Sequence, residues 1–510
     1  MAPSALIIPA PAPPARAASA ALLTDFSDRL SPILVKELRQ GLRQPTFVIA
    51  FLCLQVLLCI VVVISVVSAP VGSQESLRVG ETVSGFFFVL LAIAIVIVQP
   101  LRGLGALAIE IKADTLDLLL LTRLNSWRIT FGKWLALVSQ SALLVVAVFP
   151  YLILRYYLGG MQLFAELLAL FTMFIMSASL TGIAVGFSAT TSLVIRGLVA
   201  LALVFSLITL PNIIRVSLMR GGRGSPFTIT LSTASEISMY AAMVLLMLFL
   251  GYYFLEMGAT QISPPAENRS TCKRLVGLAS LGLLVWLLPD KFPTLLICWL
   301  LVVSLLTVDA LSERAEFTAS VLRPFRRLGP LRYLAGLFLL PGWASGLFFA
   351  GLLAGTTMAL CMTSILTLAT GTDKMPAFWM LWFATLLFPA AVVSWFMRKA
   401  KNLFTAYIIV LLASLIVSLV FFVIGQTTHS VKEMILLVPV CPALGLMSYR
   451  EYSATQQSEI LIPIAIMTCC AYWIALFVRS SGHWARIRAM DQTLAMKPPA
   501  AVVVDTTDVA

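Results

Sequence analysis

Residue types able to do covalent chemistry are thinly spread along this chain. The two histidines, His429 and His483, are far apart, and none of the eight cysteines forms a CxxC pair, so no zinc-ligand spacing is present. Most cysteines sit inside apolar runs and read as small hydrophobes. There is no HExxH, no GxSxG and no paired carboxylates beside a histidine. No GxxxxGK[ST] phosphate loop occurs. The only Gly-Lys pair, Gly132-Lys133, is followed by Trp134 and lacks a glycine five residues earlier. What remains is the chemistry of recognition, concentrated in residues 110–133, EIKADTLDLLLLTRLNSWRITFGK. Glu110, Lys112, Asp114 and Asp117 fill its first two turns, where acidic groups suit the positive end of a helix. Leu116, Leu119 and Leu120 share a face, while Leu118 and Leu121 fall elsewhere. A helix apolar over so much of its girth needs cover from lipid on one side and protein on another. Asn125 and Ser126 end the pattern.

That segment lies between long apolar runs. The chain has 510 residues, 60% hydrophobic and 11% charged, with a mean hydropathy of +0.99. Soluble domains carry roughly 25% charged residues, and a spanning helix needs about 20 apolar ones. An all-α polytopic membrane protein follows. The runs are continuous and do not alternate, which excludes a transmembrane barrel. The net charge of +12 fits topology and lipid headgroups, with no nucleic acid as partner.

Spans are expected near 47–69, 83–101, 134–154, 167–187, 197–214 and 236–256, then near 275–289, 294–308, 334–358, 377–397, 403–425 and 460–479. The piece 434–447, with two prolines, is too short to cross and reads as re-entrant or interfacial. About twelve transmembrane helices then place most of the 35 Lys and Arg, and both termini, on the cytoplasmic side. The organisation expected is a disordered tail over 1–28, a six-span domain over 29–260, a second six-span domain over 261–485 and a cytoplasmic tail over 486–510. The two sets share a layout: two spans, a charged cytoplasmic segment (110–133 and 313–332), then four more. That layout raises an internal repeat, a device common in transporters.

Before the first span lies RLSPILVKELRQGLRQP, residues 29–45. Ser31 can cap a helix whose first turn holds Pro32. Leu34, Leu38 and Leu42 mark one face, with Lys36, Arg39, Gln40 and Arg43 opposite. This is a basic amphipathic helix of the kind that lies among membrane lipid headgroups. Gly182 and Gly186 make a small-xxx-small face suited to close helix packing, and Gln55, Gln140 and the Ser139–Ser141 cluster read as interhelical hydrogen-bonders.

Residues 110–133 resemble the coupling-helix region of type-2 ABC-transporter permeases. There a charged pair precedes TLE- or TLD-LLL, then T-P-L-S, and a Gly-Lys opens the next span. Glu110, Lys112, Thr115, Leu116, Asp117, Leu118, Leu119, Leu120, Thr122, Leu124, Gly132 and Lys133 fall in register. Asp114 stands where the family often has Gly, and Arg123 where it often has Pro. The segment SPILVKELRQGLR is similar to the N-terminal elbow helix of such permeases. The likeness covers 29–260; the second half shares the layout, and its SERAEFTASVLRPF lacks the TLDLLLLT core.

The resemblance implies a permease subunit without an ATPase domain of its own, coupled to a separate ABC ATPase subunit through a cytoplasmic coupling helix. It implies an exporter in a bacterial cytoplasmic (inner) membrane, working as a homodimer, with a related permease, or as a pseudo-dimer within one chain. Thr115, Leu116, Asp117, Leu119 and Leu120 would meet the ATPase, Glu110, Lys112, Arg123 and Lys133 would orient the contact, and no cofactor is implied. Two other classes compete. An ion-coupled secondary transporter would place charge at mid-span, where the expected spans have none, and a non-transporting membrane scaffold would carry no motif at all.

Overall fold

The computed structural model describes residues 32–67, 87–112, 125–158, 163–190, 195–202, 231, 233–264, 267–314, 318, 321–322, 325, 332–368, 375–397, 402–428, 433–449 and 458–496. The described residues are overwhelmingly helical and include no strand. The short helix α1 (Pro32–Arg43) precedes the spanning helices α2 (Pro45–Val67), α3 (Phe87–Lys112), α4 (Ser126–Leu158), α5 (Leu163–Ser188) and α6 (Ala234–Ile262). Then come α7 (Ser270–Leu287), α8 (Phe292–Ser312), the short α9 (Arg332–Leu339), α10 (Trp343–Leu368), α11 (Met375–Phe396) and α12 (Leu403–Thr428). The short α13 (Pro442–Met447) and the long α14 (Ser458–Met496) complete the order. Eleven of these are long and apolar enough to cross a membrane. The chain is an all-α, multi-pass membrane protein.

Local chemistry sets several of these elements. Thr233 and Glu236 close a capping box at the start of α6: the Glu236 N–H donates to the Thr233 hydroxyl (3.3 Å) and the Thr233 N–H to the Glu236 carboxylate (3.1 Å). In α3, residues Ile93–Val98 widen into a π-turn. Pro100 has no N–H to return to the Ile95 carbonyl, and the Ser177 hydroxyl of α5 donates to that carbonyl instead (2.5 Å). An orphaned carbonyl in lipid costs several kcal/mol, roughly, so α3 and α5 are pinned together at this point. The piece 433–449 does not cross. It is a 3-10 turn, Glu433–Leu437, followed by α13.

In lipid, helices gain little from apolar burial and associate by close contact. Gly182 and Gly186 serve that end within the chain. A Cβ on Gly182 would sit 2.8 Å from the Gly251 carbonyl oxygen, and one on Gly258 would sit 2.7 Å from Gly186 Cα. At the other end of the same contact, Thr172 and Tyr240 share a hydrogen bond of 2.8 Å. Residue numbers rise together along both helices, so α5 and α6 run parallel. The chain between them, 189–233, therefore returns from one face to the other. The span expected at 197–214 belongs there. It is helical over 195–202, and its remainder lies outside the described residues.

The second half repeats this device. Leu381 shares a core cluster with Leu461 and Ala465, Phe388 stacks edge-on against Tyr472 at 5.8 Å, and Arg479 Nε donates to the Ser394 carbonyl at 3.3 Å. Hence α11 and α14 also run parallel, with α12 as the return. In each half the last spanning helix thus pairs in the same direction with an earlier one, α6 with α5 and α14 with α11.

Several boundaries differ from expectation. Helix α14 runs unbroken past residue 485 to Met496. Its later turns pack Ile487 and Met490 over Val321, Leu322, Phe325 and Leu340, so the helix carries these contacts into the stretch expected as a tail. Helices α7 and α8 extend beyond 275–289 and 294–308, which brings Lys273, Arg274 and Asp309 into them. The expected tails at 1–28 and 497–510 lie outside the described residues.

Candidate functional site

Ile111, Gln261, Arg314 and Asn402 line one opening, so the ends of α3, α6, α8 and the start of α12 share a face, and α1 lies on it beside α4. Buried charge collects on this face. The first cluster is centred on Lys133, just before the expected span and two turns into α4. Gly132 leaves room for α1: a Cβ there would lie 3.2 Å from Ile33 Cγ2. Lys133 then reaches beneath α1. Its Nζ lies 2.9 Å from Glu37 Oε1 and 2.8 Å from Glu110 Oε1, and its side chain is 7% exposed. One ammonium thus holds α1, the end of α3 and the start of α4. A cation so buried persists only when paired.

A second cation works beside it. Arg102 Nη2 donates to Gln44 Oε1 (2.9 Å), and Nη1 donates to Gln99 Oε1 (3.0 Å) and to Gln140 Oε1. Its guanidinium stands 5.7 Å from the Phe47 ring. The junction of α1 with α2 is thereby fixed to α3 and α4. Gln140 and Ser141 do bond between helices, Ser141 through the Ser177 hydroxyl at 3.2 Å. Gln55 does not do so by its amide nitrogen, which is buried and unpaired among the described residues.

The start of α4 is tied to the loop joining the halves. Asn125 Oδ1 accepts from the Trp127 N–H (3.1 Å) and from Arg269, and the Ser126 hydroxyl donates to Glu267 Oε2 (2.5 Å). Arg269 also pairs with Glu256 and Glu267. The segment 113–124 therefore leaves next to the Lys133 cluster and returns next to Arg269.

The second half builds its own cluster where the segment 315–331 leaves. Lys273 Nζ lies 2.7 Å from Asp309 and 3.4 Å from Glu313. Arg274 pairs with Glu313 at 2.9 Å and donates to the carbonyls of Phe338 (2.6 Å) and Leu340 (2.9 Å). The Gly342 N–H donates to Glu313 Oε2 (3.0 Å) from a turn with φ 106°, a conformation that suits glycine. Burial alone would raise the Glu313 pKa, but Lys273 and Arg274, with the Ser270 hydroxyl and the Gly342 N–H, hold it below its ordinary value.

Of the residues singled out by sequence, Glu110 and Lys133 come together. Glu110 is turned inward to Lys133, and Lys112 is exposed. Thr115, Leu116, Asp117, Leu119, Leu120 and Arg123 lie outside the described residues, as does Ser31. Pro32 opens α1, whose Lys36, Arg39 and Arg43 are exposed. The packed stripe of α1 is Ile33, Leu34, Glu37 and Gly41, one position round from the Leu34, Leu38, Leu42 face, because the bond to Lys133 and the close approach of Gly41 to Gln140 set its rotation. Glu37, Arg102, Arg269, Lys273, Arg274, Asp309 and Glu313 carried no sequence motif. Their only mark is charge placed against an apolar run. Among the described residues no group of three His, Cys, Asp or Glu could hold a metal ion.

No family model, no curated protein and no solved structure matches the chain.

Proposed function

We propose that this chain is the membrane permease subunit of an ATP-driven ABC-type exporter, worked by a separate ATPase subunit that docks on residues 113–124. The observation that supports this best is the anchoring of that segment at both roots. The Lys133–Glu37–Glu110 cluster holds one root to α1, α3 and α4, and Arg269 with Glu267 holds the other to the junction of the halves. A push on such a segment is delivered to several spans at once and is not lost in a loose loop. The corresponding segment of the second half has its apolar side chains Val321, Leu322 and Phe325 already covered by α14, which favours one docking segment per chain. The exporter setting, the bacterial cytoplasmic membrane and cytoplasmic termini belong to the same reading and come with the resemblance.

The test is affinity capture of the chain from its native membrane in mild detergent, with mass spectrometry of what accompanies it. An ATPase subunit bearing a phosphate loop is expected, and it should be lost when Asp117→Arg is combined with Leu120→Asp. Capture of the folded chain without such a subunit, or retention of it by that double variant, would overturn the assignment.

A further inference from the structure

Two cavities meet between the halves of the chain. The inner one, about 330 Å³, is walled by Phe187, Phe254, Val308, Trp382, Phe404 and Leu411. Its hydroxyls are already engaged: Ser304 accepts from Trp382 Nε1 (3.0 Å) and donates to the Leu300 carbonyl, and Thr385 donates to the Leu381 carbonyl. The outer one, about 390 Å³, opens on the α1 face and is lined by Gln261, Arg269, Lys273, Glu313, Arg314 and Asn402 among others. Met257, Asp309 and Phe404 line both, so the chambers adjoin. Each falls in the size range of small-molecule sites, roughly 300–1,000 Å³.

An apolar chamber beneath a charged mouth fits a molecule with an aliphatic tail and a charged head. The mouth also says which charge. It is lined by three cations, Arg269, Lys273 and Arg314, and three carboxylates, Glu267, Asp309 and Glu313. A simple anion or cation would meet as much repulsion as attraction there, whereas a head carrying both signs can align with the ion pairs. The mouth keeps spare donor capacity: Arg269 Nε is buried without a hydrogen-bond partner among the described residues. The single inner chamber suits one chain.

The geometry points to a binding site for a single-chain zwitterionic amphiphile, with its tail between α5, α6, α8, α11 and α12 and its head among Arg269, Lys273, Asp309 and Glu313. This deepens the permease reading by naming a substrate class and rests on it for transport. Binding itself needs no ATPase.

The probe is lysophosphatidylcholine brominated on its tail, added to the full chain in lipid nanodiscs. Trp382 in the inner wall is the reporter, read as the difference between the chain and Trp382→Phe. Saturable quenching is expected, competed by the unbrominated lipid and at least tenfold weaker with the anionic lysophosphatidylglycerol. Val308→Phe with Leu411→Phe fills the chamber and should weaken saturable quenching at least tenfold while the thermal unfolding midpoint holds. Leu415→Phe alone narrows the same chamber and serves if that pair does not fold. Quenching that rises linearly with membrane bromine, or is equal in the filled variants, overturns the proposal, as does equal affinity for the anionic probe. Saturable binding by a chain that captures no ATPase would sink only the permease reading, and ATPase capture without saturable binding would sink only this one.

Discussion

Lys133 is shared by two carboxylates from two other elements, so its contribution to stability is concentrated at one atom. Removing one side of a buried pair leaves the other charge stranded, at a cost of about 3–5 kcal/mol. Lys133→Met should therefore lower the unfolding temperature sharply in detergent. Adding Glu37→Gln and Glu110→Gln should recover part of the loss, because the stranded charges go too. If the triple variant is no better than the single one, the cluster is not the unit described. Glu313 behaves differently with pH. Its folded pKa lies below its ordinary 4.5, so the stability it gives is complete above that value and is lost as pH falls through the folded value. Unfolding temperature should be flat in this respect from about pH 5 to 8 and fall below about pH 4, and Glu313→Gln should remove that acid-side dependence. Persistence of the same acid limb in Glu313→Gln would assign it to other carboxylates. At this scale the sequence was half legible. Lys133 and Glu110 stood out through the Gly-Lys and charged-pair pattern. Glu37 did not, since nothing in a single helix tells which charge will be turned under it.

Helices α5 and α6 touch backbone to backbone, and the four glycines at their contact are the reason. Gly186→Ile should prevent the pairing, since even a Cβ at that position collides with the Phe254 carbonyl. Loss of the folded species on size-exclusion chromatography is the expected result. Gly355→Ala is the control. A Cβ there meets nothing within 4 Å inside α10, so stability should stay level or rise by about 0.5–1 kcal/mol from helix propensity. Tolerance of Gly186→Ile would mean the helices stand further apart than described. The small-residue face of α5 was legible from the spacing of Gly182 and Gly186. Its partner, and the parallel sense of the pair, were not. Periodicity reports which face of a helix can approach another, and it is silent on which helix comes. The π-turn of α3 shows the same limit: Pro100 signals a lost N–H, but only the fold reveals that Ser177 supplies the missing donor.

For the molecule as a whole, two parallel pairs fix the topology more firmly than apolar runs do. Each pair, α5 with α6 and α11 with α14, requires one return crossing between its members. With the other crossings this puts α1, the end of α3, the start of α12 and the end of α14 on one face, and the turn between α7 and α8 on the opposite one. Cysteines at Lys36, Lys112 and Arg488 should then react with an impermeant thiol reagent from the same side of a sealed vesicle, and one at Asp290 only from the other side. All four positions are exposed, so access reports sidedness and not burial. The exposed native cysteines Cys53, Cys59, Cys272 and Cys470 are replaced first. If Arg488→Cys labels with Asp290→Cys, the non-crossing of 433–449 is wrong; if Asp290→Cys labels with Lys112→Cys, the return crossing in 189–233 is wrong. Labelling of Lys112→Cys from the opposite side to Lys36→Cys would break the Lys133 cluster as well, because that cluster needs both residues' helices on one face. The experiment thus ties the count of crossings to the site: an even number is what lets α1, the roots of 113–124 and the last turns of α14 lie together where a soluble partner could reach them.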